Sequence, residues 1–416
     1  MAKRKESNQK RFDRYGRRCL GKGIYVSNDT RETGINNNDL VIGGSGSSKT
    51  GSVVDPQLKT LCDSSLIVAD TKNILYRKFR GELERRGYRV RVLDFVNPEN
   101  SCRYNPVDYV RNELDIIKIS HALIPDMVTH DPFWEISARA VLEFFIAYAL
   151  SALPEEDHHM YAVERLYRAF TKERGEAAFI TWLEAHPESL AAKRYDQIKA
   201  MRVAEKMWAS ILGFVNTVFY AFDVSEMSHI FDPNQQGEEI DIASLGREKT
   251  VVFLNISDTD KSLDKVVNLF YTQALQTLVA EADSQEDGRL RVPCRIMFDD
   301  FAAGAKIPGF DKIISVIRSR DIWTTICIQS ISQLESLYSP AEARTIINNC
   351  DHIIYLGGND IASAEFIGTR AGKVADDILA MKRTREYYIE GGMKARLVDK
   401  IPPYSYSEEE EEATYL

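Results

Sequence analysis

The chain contains 416 residues, of which 44% are hydrophobic and 28% are charged, and its formal net charge is −9. These values exclude a largely disordered or fibrous chain, and the length predicts one large domain with an insertion or two domains. The negative charge argues against wholesale coating of nucleic acid, although it allows a local basic channel or arm.

Charge is distributed unevenly between the two ends of the chain. Residues 1–24 form a strongly basic segment, and residues 401–416 contain a run of glutamates. Because such runs are usually solvated, we interpret them as a basic N-terminal arm and an acidic C-terminal tail. The alternative for the basic arm is contact with DNA or with an anionic membrane surface.

Cysteine spacing and hydropathy bear on the compartment. The six cysteines include no C-x-x-C pair, so we expect neither a zinc site nor a disulfide framework. The best apolar run, AVLEFFIAYALSAL, is interrupted by Glu143 and is shorter than the roughly 20 residues that cross a bilayer. No apolar region follows the charged start, which argues against a signal peptide. We therefore expect a reduced, cytoplasmic protein.

Short, continuously apolar runs that end in turn residues recur along the chain. Continuous hydrophobicity is typical of strands covered on both faces, and helical patterns at 76–88 and 262–282 fit crossover helices. The sequence thus predicts an α/β fold with a doubly wound, mostly parallel sheet. The predicted strands cover 39–44, 64–70, 88–95, 249–256, 294–300, 323–330 and 351–358.

The first of these runs leads into a glycine-rich loop, GGSGSSKT. It fits the nucleotide-binding pattern G-x-x-x-x-G-K-[ST], except that Ser48 replaces the last glycine. After a strand and before a helix, such a loop directs backbone N–H groups at the phosphates of ATP, while Lys49 adds a charge and Thr50 ligates Mg²⁺. The alternative is a simple Gly/Ser turn. The predicted phosphate-binding residues are Gly43, Gly44, Ser45, Gly46, Ser47, Ser48, Lys49 and Thr50.

Ser48 raises a further expectation about the strength of nucleotide binding. If the Ser48 position requires a positive φ, its Cβ costs about 1–2 kcal/mol, which would weaken nucleotide binding roughly tenfold.

Between residues 106 and 240 the strand pattern disappears, which predicts an inserted all-α domain within an α/β domain that covers 25–105 and 241–400.

The run CRIMFDD ends in two acids. A buried strand of this kind delivers carboxylates to its C-terminal edge, where Asp299 would hold Mg²⁺ and Asp300 would orient or deprotonate the attacking water. Glutamate is usual at the second position, and the shorter side chain of Asp300 misplaces the carboxylate by a distance that can cost about a hundredfold in rate. Slow hydrolysis, or none, is the alternative.

Polar residues also flank the next strand. Gln329 follows it and is placed to sense a γ-phosphate or position water, although a solvated strand-end amide is the alternative. Arg318 and Arg320 precede it and are candidate arginine fingers for a neighbouring subunit, or else ordinary helix-end cations. Near the end of the chain, REYYIEGGMKARLVD predicts a hairpin around Gly391 and Gly392.

Taken together, these segments resemble the coupling proteins of type IV secretion systems. The resemblance runs from about residue 25 to about residue 375 and is most specific between Asp299 and Gly358. It is carried, in order, by GGSGSSKT, VADTKNILY, YNPVDYV, DPFWEISARAVLEFFIAYAL, IMFDDFAAGAKIPGFDKIISVIRSRDIWTTICIQSISQLESLY and IINNCDHIIYLGG.

The resemblance implies a RecA-like P-loop motor that acts as a hexamer and links relaxase-bound DNA to the transfer channel. It implies phosphate and magnesium roles for Lys49 and Thr50, and it places Asp70 and Lys72 of the DTKN loop beside the nucleotide. The remaining implied roles are the strand acid for Asp299, the catalytic position for Asp300, the sensor for Gln329, and the finger for Arg320 or Arg318.

This sequence departs from the family at Ser48, Asp300, Thr71 and Asn73, where the DTKN loop replaces the family's DPKG. Family members ordinarily carry two N-terminal membrane helices, and this sequence shows no matching apolar segments. We therefore expect a form that docks on a membrane partner or is cytosolic.

We therefore expect a coupling ATPase that binds ATP and Mg²⁺, grips DNA without sequence specificity, and contacts relaxosome and channel proteins. The alternative from another class is an adaptor of the same fold that recruits relaxosome or effector proteins without hydrolysis. A septal or repair DNA pump is a third reading, which the DPFWE and QSISQL stretches disfavour.

Overall fold

The structure is a computed structural model, and it describes residues 15–125, 131–172, 174–257, 259–301 and 306–407. The chain divides into two compact units. The first comprises Met1–Arg91, Asp241–Asn255 and Leu278–Leu416, and the second comprises Val92–Ile240 and Ile256–Thr277. The second unit therefore starts earlier than the inserted domain predicted at 106–240, and it also takes in a segment beyond that domain.

The strands form a two-stranded antiparallel hairpin, β1–β2, and one nine-stranded sheet of order β11-β10-β9-β3-β8-β7-β4-β6-β5. Strands β9, β3, β8, β7, β4 and β6 pair in parallel, while β10 and β11 extend one edge antiparallel. The strands are β1 (Arg17–Gly21), β2 (Ile24–Ser27), β3 (Asp39–Ile42), β4 (Ser65–Ala69), β5 (Arg89–Asp94), β6 (Thr250–Asn255), β7 (Cys294–Phe298), β8 (Ile322–Ile328), β9 (His352–Tyr355), β10 (Arg385–Glu390) and β11 (Arg396–Asp399).

Helices account for most of the remaining regular structure. The helices are α1 (Thr30–Thr33), α2 (Asp55–Lys59), α3 (Ile74–Arg85), α4 (Glu113–Leu123), α5 (Phe133–Ala152), α6 (Met160–Phe170), α7 (Ala177–Ala185), α8 (Leu190–Arg202), α9 (Glu205–Asp223), α10 (Ser228–Phe231), α11 (Asp264–Asp283), α12 (Phe310–Val316), α13 (Ile331–Leu337), α14 (Pro340–Asn348), α15 (Ile361–Ala371) and α16 (Ala375–Leu379).

The parallel strands explain the continuous hydrophobic pattern of the sequence. Every residue of β3, β4, β6, β7, β8 and β9 is buried. Strands covered on both faces need apolar residues at successive positions, because neither face is solvated. The mixed α/β fold with a mostly parallel sheet is therefore confirmed, and each of the seven predicted strands is present as one of β3 to β9.

The second unit is built around α5 and an aromatic core. The rings of Phe144 and Phe145 lie 4.7 Å apart, and both contact Phe170. Glu143, which interrupts the apolar run of α5, accepts hydrogen bonds from Ser120 Oγ and Arg194 Nε, each at 2.6 Å. These two bonds satisfy the buried carboxylate inside the helical unit. Among the described residues between 106 and 240, no strand is formed.

No single helix in the described ranges has the length and hydropathy to cross a bilayer, whereas the bent pair Glu205–Asp223 and Ser225–Phe231 reaches them only when taken together.

Two segments differ from the sequence-based expectation. Of the basic arm predicted at 1–24, residues 1–14 lie outside the described residues, and the rest contributes β1 and the start of β2. Of the acidic tail predicted at 401–416, residues 401–407 are described, and there Ile401 and Tyr406 pack with Cys19 in a buried cluster. The many charged residues of both segments predicted solvated tails. Several of their apolar residues are nevertheless buried, because they pack against residues that are distant in sequence.

The predicted C-terminal hairpin is also present, with a longer connection than a two-residue turn. Strands β10 and β11 pair from Arg385↔Asp399 to Tyr388↔Arg396. Residues 391–395 connect them, and Gly392 takes the positive φ of 77° that the turn requires.

Candidate phosphate-binding site

The glycine-rich loop leaves the end of β3 and is attached to the strand ends on both sides. Gly43 N–H donates to Ile328 O and Gly44 N–H donates to Gly357 O, each at 3.0 Å. Because β8 and β9 flank β3, these two bonds hold the loop at the C-terminal edge of the parallel strands. This edge is where open α/β sheets bind ligands.

The loop contains two residues in the left-handed region. Gly46 has a φ of 73° and Ser48 a φ of 70°, so the position that lacks its glycine is one that requires positive φ. Ser52 N–H donates to Ser48 O at 2.8 Å, which ties the serine to the first turn of the following helix. The strain expected for a residue with a Cβ, about 1–2 kcal/mol, is thus built into the loop.

The loop opens a helical segment that begins with wide turns. Thr50–Val54 form π-type turns, in which Asp55 N–H donates to Thr50 O, and α2 continues to Lys59. Such π segments are rare and concentrate at functional sites.

Lys49, Thr50 and the two acids after β7 come together at this edge. Thr50 Oγ1 donates to Asp299 Oδ2 at 2.9 Å, Lys49 Nζ donates to Gly43 O at 2.9 Å, and Lys49 Nζ lies 3.6 Å from Asp300 Oδ1. The structure therefore joins a cation, a hydroxyl and two carboxylates from segments that are about 250 residues apart in sequence.

Burial and the neighbouring Asp300 carboxylate both raise the pKa of Asp299, against opposing contributions from Thr50 and Lys49. A carboxyl group with a raised pKa takes up a proton at a higher pH than usual, so its capacity to hold a cation declines as the pH falls through that pKa. A divalent cation would reverse this shift by stabilising the ionised form.

The residues present fit a polyphosphate with Mg²⁺. Hydroxyl and carboxylate oxygens are the ligands that Mg²⁺ prefers, and Thr50 with Asp299 supplies both. Ser47 Oγ and Asp300 Oδ1 are buried polar atoms that make no hydrogen bond among the described residues, although Asp300 Oδ1 is within ion-pair distance of Lys49 Nζ. Such atoms are available to a ligand at the loop, since buried polar groups are ordinarily bonded.

Gln329 follows β8, which lies between β3 and β7. The two residues before Gln329 accept hydrogen bonds from both segments of the site. Ile328 O accepts from Gly43 N–H of the glycine-rich loop, and Cys327 O accepts at 2.9 Å from Phe301 N–H, next to the two acids. The structure thus places Gln329 between the glycine-rich loop and the acids. Its own N–H donates to Gln333 Oε1 at 3.3 Å.

The DTKN loop after β4 has a structural contact of its own. Asp70 accepts hydrogen bonds from Ile74 N–H at 3.0 Å and Tyr76 N–H at 2.8 Å, and so it caps the N-terminus of α3. Burial raises the pKa of Asp70 although these N–H groups oppose the shift. Asn73 takes a φ of 54°, and Lys72 is exposed.

The two candidate finger arginines lie at the other end of β8. Arg320 binds Asp283 through Nε at 2.7 Å and Nη2 at 3.2 Å, and Arg318 Nη2 donates to Gly34 O at 2.8 Å. The seven residues of β8 separate them from Gln329 by about 20 Å at the usual strand rise. Neither arginine is placed to reach the glycine-rich loop of its own chain.

Two residues at the loop were not expected from the sequence. Lys400 Nζ donates to Leu356 O at 3.0 Å and to Ser47 O at 3.3 Å, and Tyr404 N–H donates to Gly51 O at 2.9 Å. They belong to KIPPYSY, whose only local signal is a pair of aromatic residues beside two prolines.

Comparisons with known proteins bear on the family and the fold of the chain. The model of a family described as Type IV secretory system Conjugative DNA transfer matches residues 1–379. A comparison with curated proteins finds no match.

Solved structures show the same fold at low sequence identity. Plasmid coupling protein TrwB in complex with the ATP analogue ADPNP has a TM-score of 0.66 at 12% identity, over 94% of this chain and 91% of that one. TrwB in complex with ADP and Mg²⁺ has a TM-score of 0.65 at 14% identity, over 87% and 84%. VirB4 of Thermoanaerobacter pseudethanolicus has a TM-score of 0.54 at 13% identity, over 88% and 90%.

Proposed function

The chain belongs to the type IV secretory system conjugative DNA transfer family, and we propose that it is the ATP-driven coupling protein of a conjugative system. The observation that carries the proposal is the Thr50 Oγ1 to Asp299 Oδ2 contact of 2.9 Å beside Lys49. It supplies both a magnesium ligand set and a phosphate-binding cation at the mouth of a glycine-rich loop.

The proposed ligands of ATP and Mg²⁺ come from the glycine-rich loop and from Asp299. The N–H groups of residues 43–50 and the Lys49 ammonium bind the phosphates of ATP, while Thr50 and Asp299 hold Mg²⁺. The metal, when bound, neutralises charge that develops on the phosphates. The binding of ADP with Mg²⁺ and of ADPNP by TrwB supports these ligands.

Asp300 and Gln329 are the proposed hydrolytic residues. Asp300 accepts the proton of the attacking water or orients it, and Gln329 positions that water from the neighbouring strand end. The shorter aspartate and the strained Ser48 slow this step relative to a site with glutamate and glycine at these positions. The proposed activity is therefore a modest ATPase.

The proposal for the DNA-transfer step is a ring of six copies with DNA in its centre. A channel of this kind binds the DNA backbone, so binding is independent of sequence and falls steeply with salt. Arg320 of one copy is the proposed finger for the nucleotide of its neighbour, because it is too distant from its own loop. The helical unit is the proposed receptor for relaxosome proteins, and a channel component at the membrane is the proposed docking partner.

The test is ATP turnover by the purified chain with and without DNA and Mg²⁺, compared with Lys49→Ala. We expect turnover that needs Mg²⁺, rises with DNA and is lost in Lys49→Ala, because the substitution removes the phosphate-binding charge. Lys22→Ala, which removes an exposed lysine from the N-terminal hairpin, is the matched control and should retain activity.

Turnover no higher than that of Lys49→Ala would contradict the proposal. If ATP still binds in that case, the non-hydrolysing adaptor is the correct account, and the double variant Ser48→Gly, Asp300→Glu should then gain ATPase activity.

A further inference from the structure

Residues 400–406, which we call the C-terminal strap, cross the glycine-rich loop and the helix that it opens. Lys400 binds the carbonyl of Ser47, and Tyr404 N–H binds the carbonyl of Gly51. At the far end, Lys59 Nζ donates to Tyr406 O, and Tyr406 packs in the buried cluster with Cys19. The strap is therefore attached at three points to the segment that begins at the loop.

The ring of Tyr404 lies directly against Gly51, the residue after Thr50. A Cβ at Gly51 would stand 3.0 Å from Tyr404 Cε2 and 2.9 Å from Pro403 Cβ, so only glycine admits this approach. Tyr404 itself has a φ of 59°. A bulky residue in the left-handed region is held there by its surroundings, and such strain is concentrated at functional sites.

Tyr404 faces the charged part of the site and not the protein core. The residue remains 44% exposed. Lys78 Nζ lies 5.2 Å from the ring centroid. Burial, and after it the carboxylates of Asp55, Asp299 and Asp70, raise the pKa of the Tyr404 hydroxyl. An aromatic ring thus lies, partly solvated, beside the first turn of the helical segment formed by residues 50–59. It is close enough to Asp299 for the carboxylate to affect the pKa of the tyrosine hydroxyl.

In a nucleoside triphosphate a ribose joins the base to the α-phosphate, so a nucleotide whose phosphates lie on this loop carries its base beyond the loop, where a neighbouring side chain can contact it. Every base has a π-face, and stacking on an aromatic side chain is worth about 1–3 kcal/mol. Of the two tyrosines in the strap, Tyr404 lies against Gly51, next to the phosphate-binding residues, whereas Tyr406 lies near Lys59 at the far end of the same helical segment. The contacts at Gly51 fix its position, so it presents a preorganised surface.

We propose that Tyr404 forms the base-binding part of the nucleotide site, with the purine ring stacked on its side chain. The inference rests on the proposed function, because it requires that the loop holds a nucleoside triphosphate. The ligand class is a purine nucleotide, and the stacking face discriminates a nucleotide from a bare polyphosphate.

The test compares ATP with inorganic tripolyphosphate, which lacks a base, by calorimetry on the full chain in Mg²⁺. We expect Tyr404→Ala to weaken ATP binding about tenfold or more and to leave tripolyphosphate binding within about twofold, since only stacking is lost. Tyr404→Phe should bind ATP like the unsubstituted chain. Tyr220→Ala, at a tyrosine that is 64% exposed in the helical unit, is the matched control.

A second variant keeps the test independent of the stability of Tyr404→Ala. Tyr404→Trp should fold with an indole in the same place, and its fluorescence should be quenched by ATP and unchanged by tripolyphosphate. Equal quenching by both ligands, equal losses of both affinities in Tyr404→Ala, or an unchanged ATP affinity would each overturn the inference. If the unsubstituted chain binds neither ligand, the proposed function itself has failed.

Discussion

Three of the positions at which this sequence departs from its family have left-handed backbones. Ser48, Asn73 and Asp300 have φ values of 70°, 54° and 50°. Among residues with a Cβ, Asn and Asp are several-fold enriched in this region, whereas serine has no such preference. The strain of the site is therefore concentrated at Ser48.

Ser48→Gly is expected to stabilise the protein by about 0.5–1 kcal/mol. The substitution releases the strain at positive φ, and the greater freedom of glycine in the unfolded chain offsets part of the gain. Urea unfolding of the two proteins measures the difference as a shift of the midpoint.

The neighbouring Ser45→Gly is the control, because Ser45 is exposed and has no positive φ. It should lower stability by a few tenths of a kcal/mol. A destabilising Ser48→Gly would show that the serine side chain makes a contribution larger than its strain.

At the scale of elements, a buried ionic cluster fastens the N-terminal hairpin to the sheet. Arg18 on β1 binds Asp39 on β3 at 2.8 Å, and Arg295 on β7 binds the same carboxylate at 2.9 Å. All three side chains are at most 4% exposed. The two arginines hold the pKa of the Asp39 carboxyl below its ordinary value, although burial opposes them. The hairpin is thus part of the sheet unit.

Asp39→Asn should cost about 3–5 kcal/mol, because it leaves two guanidinium groups buried without their anion. Arg18→Met should cost less, since Asp39 keeps its contact with Arg295. Chemical unfolding of both variants measures this order.

The exposed pair Arg80 and Glu84 provides the comparison. Removing Arg80 with Arg80→Ala should change stability by less than about 0.5 kcal/mol. Equal costs for Arg18→Met and Asp39→Asn would contradict the idea that Asp39 balances both arginines.

At the scale of the whole molecule, the direction of the parallel strands separates two sets of functional residues. Lys49, Asp299 and Gln329 follow their strands and share one edge, whereas Arg320 precedes β8 and lies at the other. Under the proposed function, the nucleotide site of one copy is therefore completed by Arg320 of a neighbouring copy.

Mixing two inactive variants tests this arrangement. Lys49→Ala and Arg320→Ala should each lose ATP turnover alone, while an equal mixture should recover about a quarter of it, because random assembly leaves that share of interfaces with both residues intact. ATPase assays of the mixture with DNA measure the recovery.

Arg318→Ala, in place of Arg320→Ala, separates the two candidate arginines. A mixture no more active than its components would show that Arg320 does not act on a neighbouring nucleotide.

The local elements of this protein could be predicted from its sequence. The strands β3 to β9, the helical insertion and the glycine-rich loop with Lys49 and Thr50 follow from apolar runs and turn residues that neighbouring positions encode. Three features could not be predicted from the sequence: the place of β8 between β3 and β7, the attachment of the N-terminal hairpin to the sheet through Arg18 and Asp39, and the contact of Tyr404 with Gly51. These features depend on contacts between residues that are tens to hundreds of positions apart. A local sequence pattern predicts that a residue is buried, but it does not indicate which distant segment packs against it.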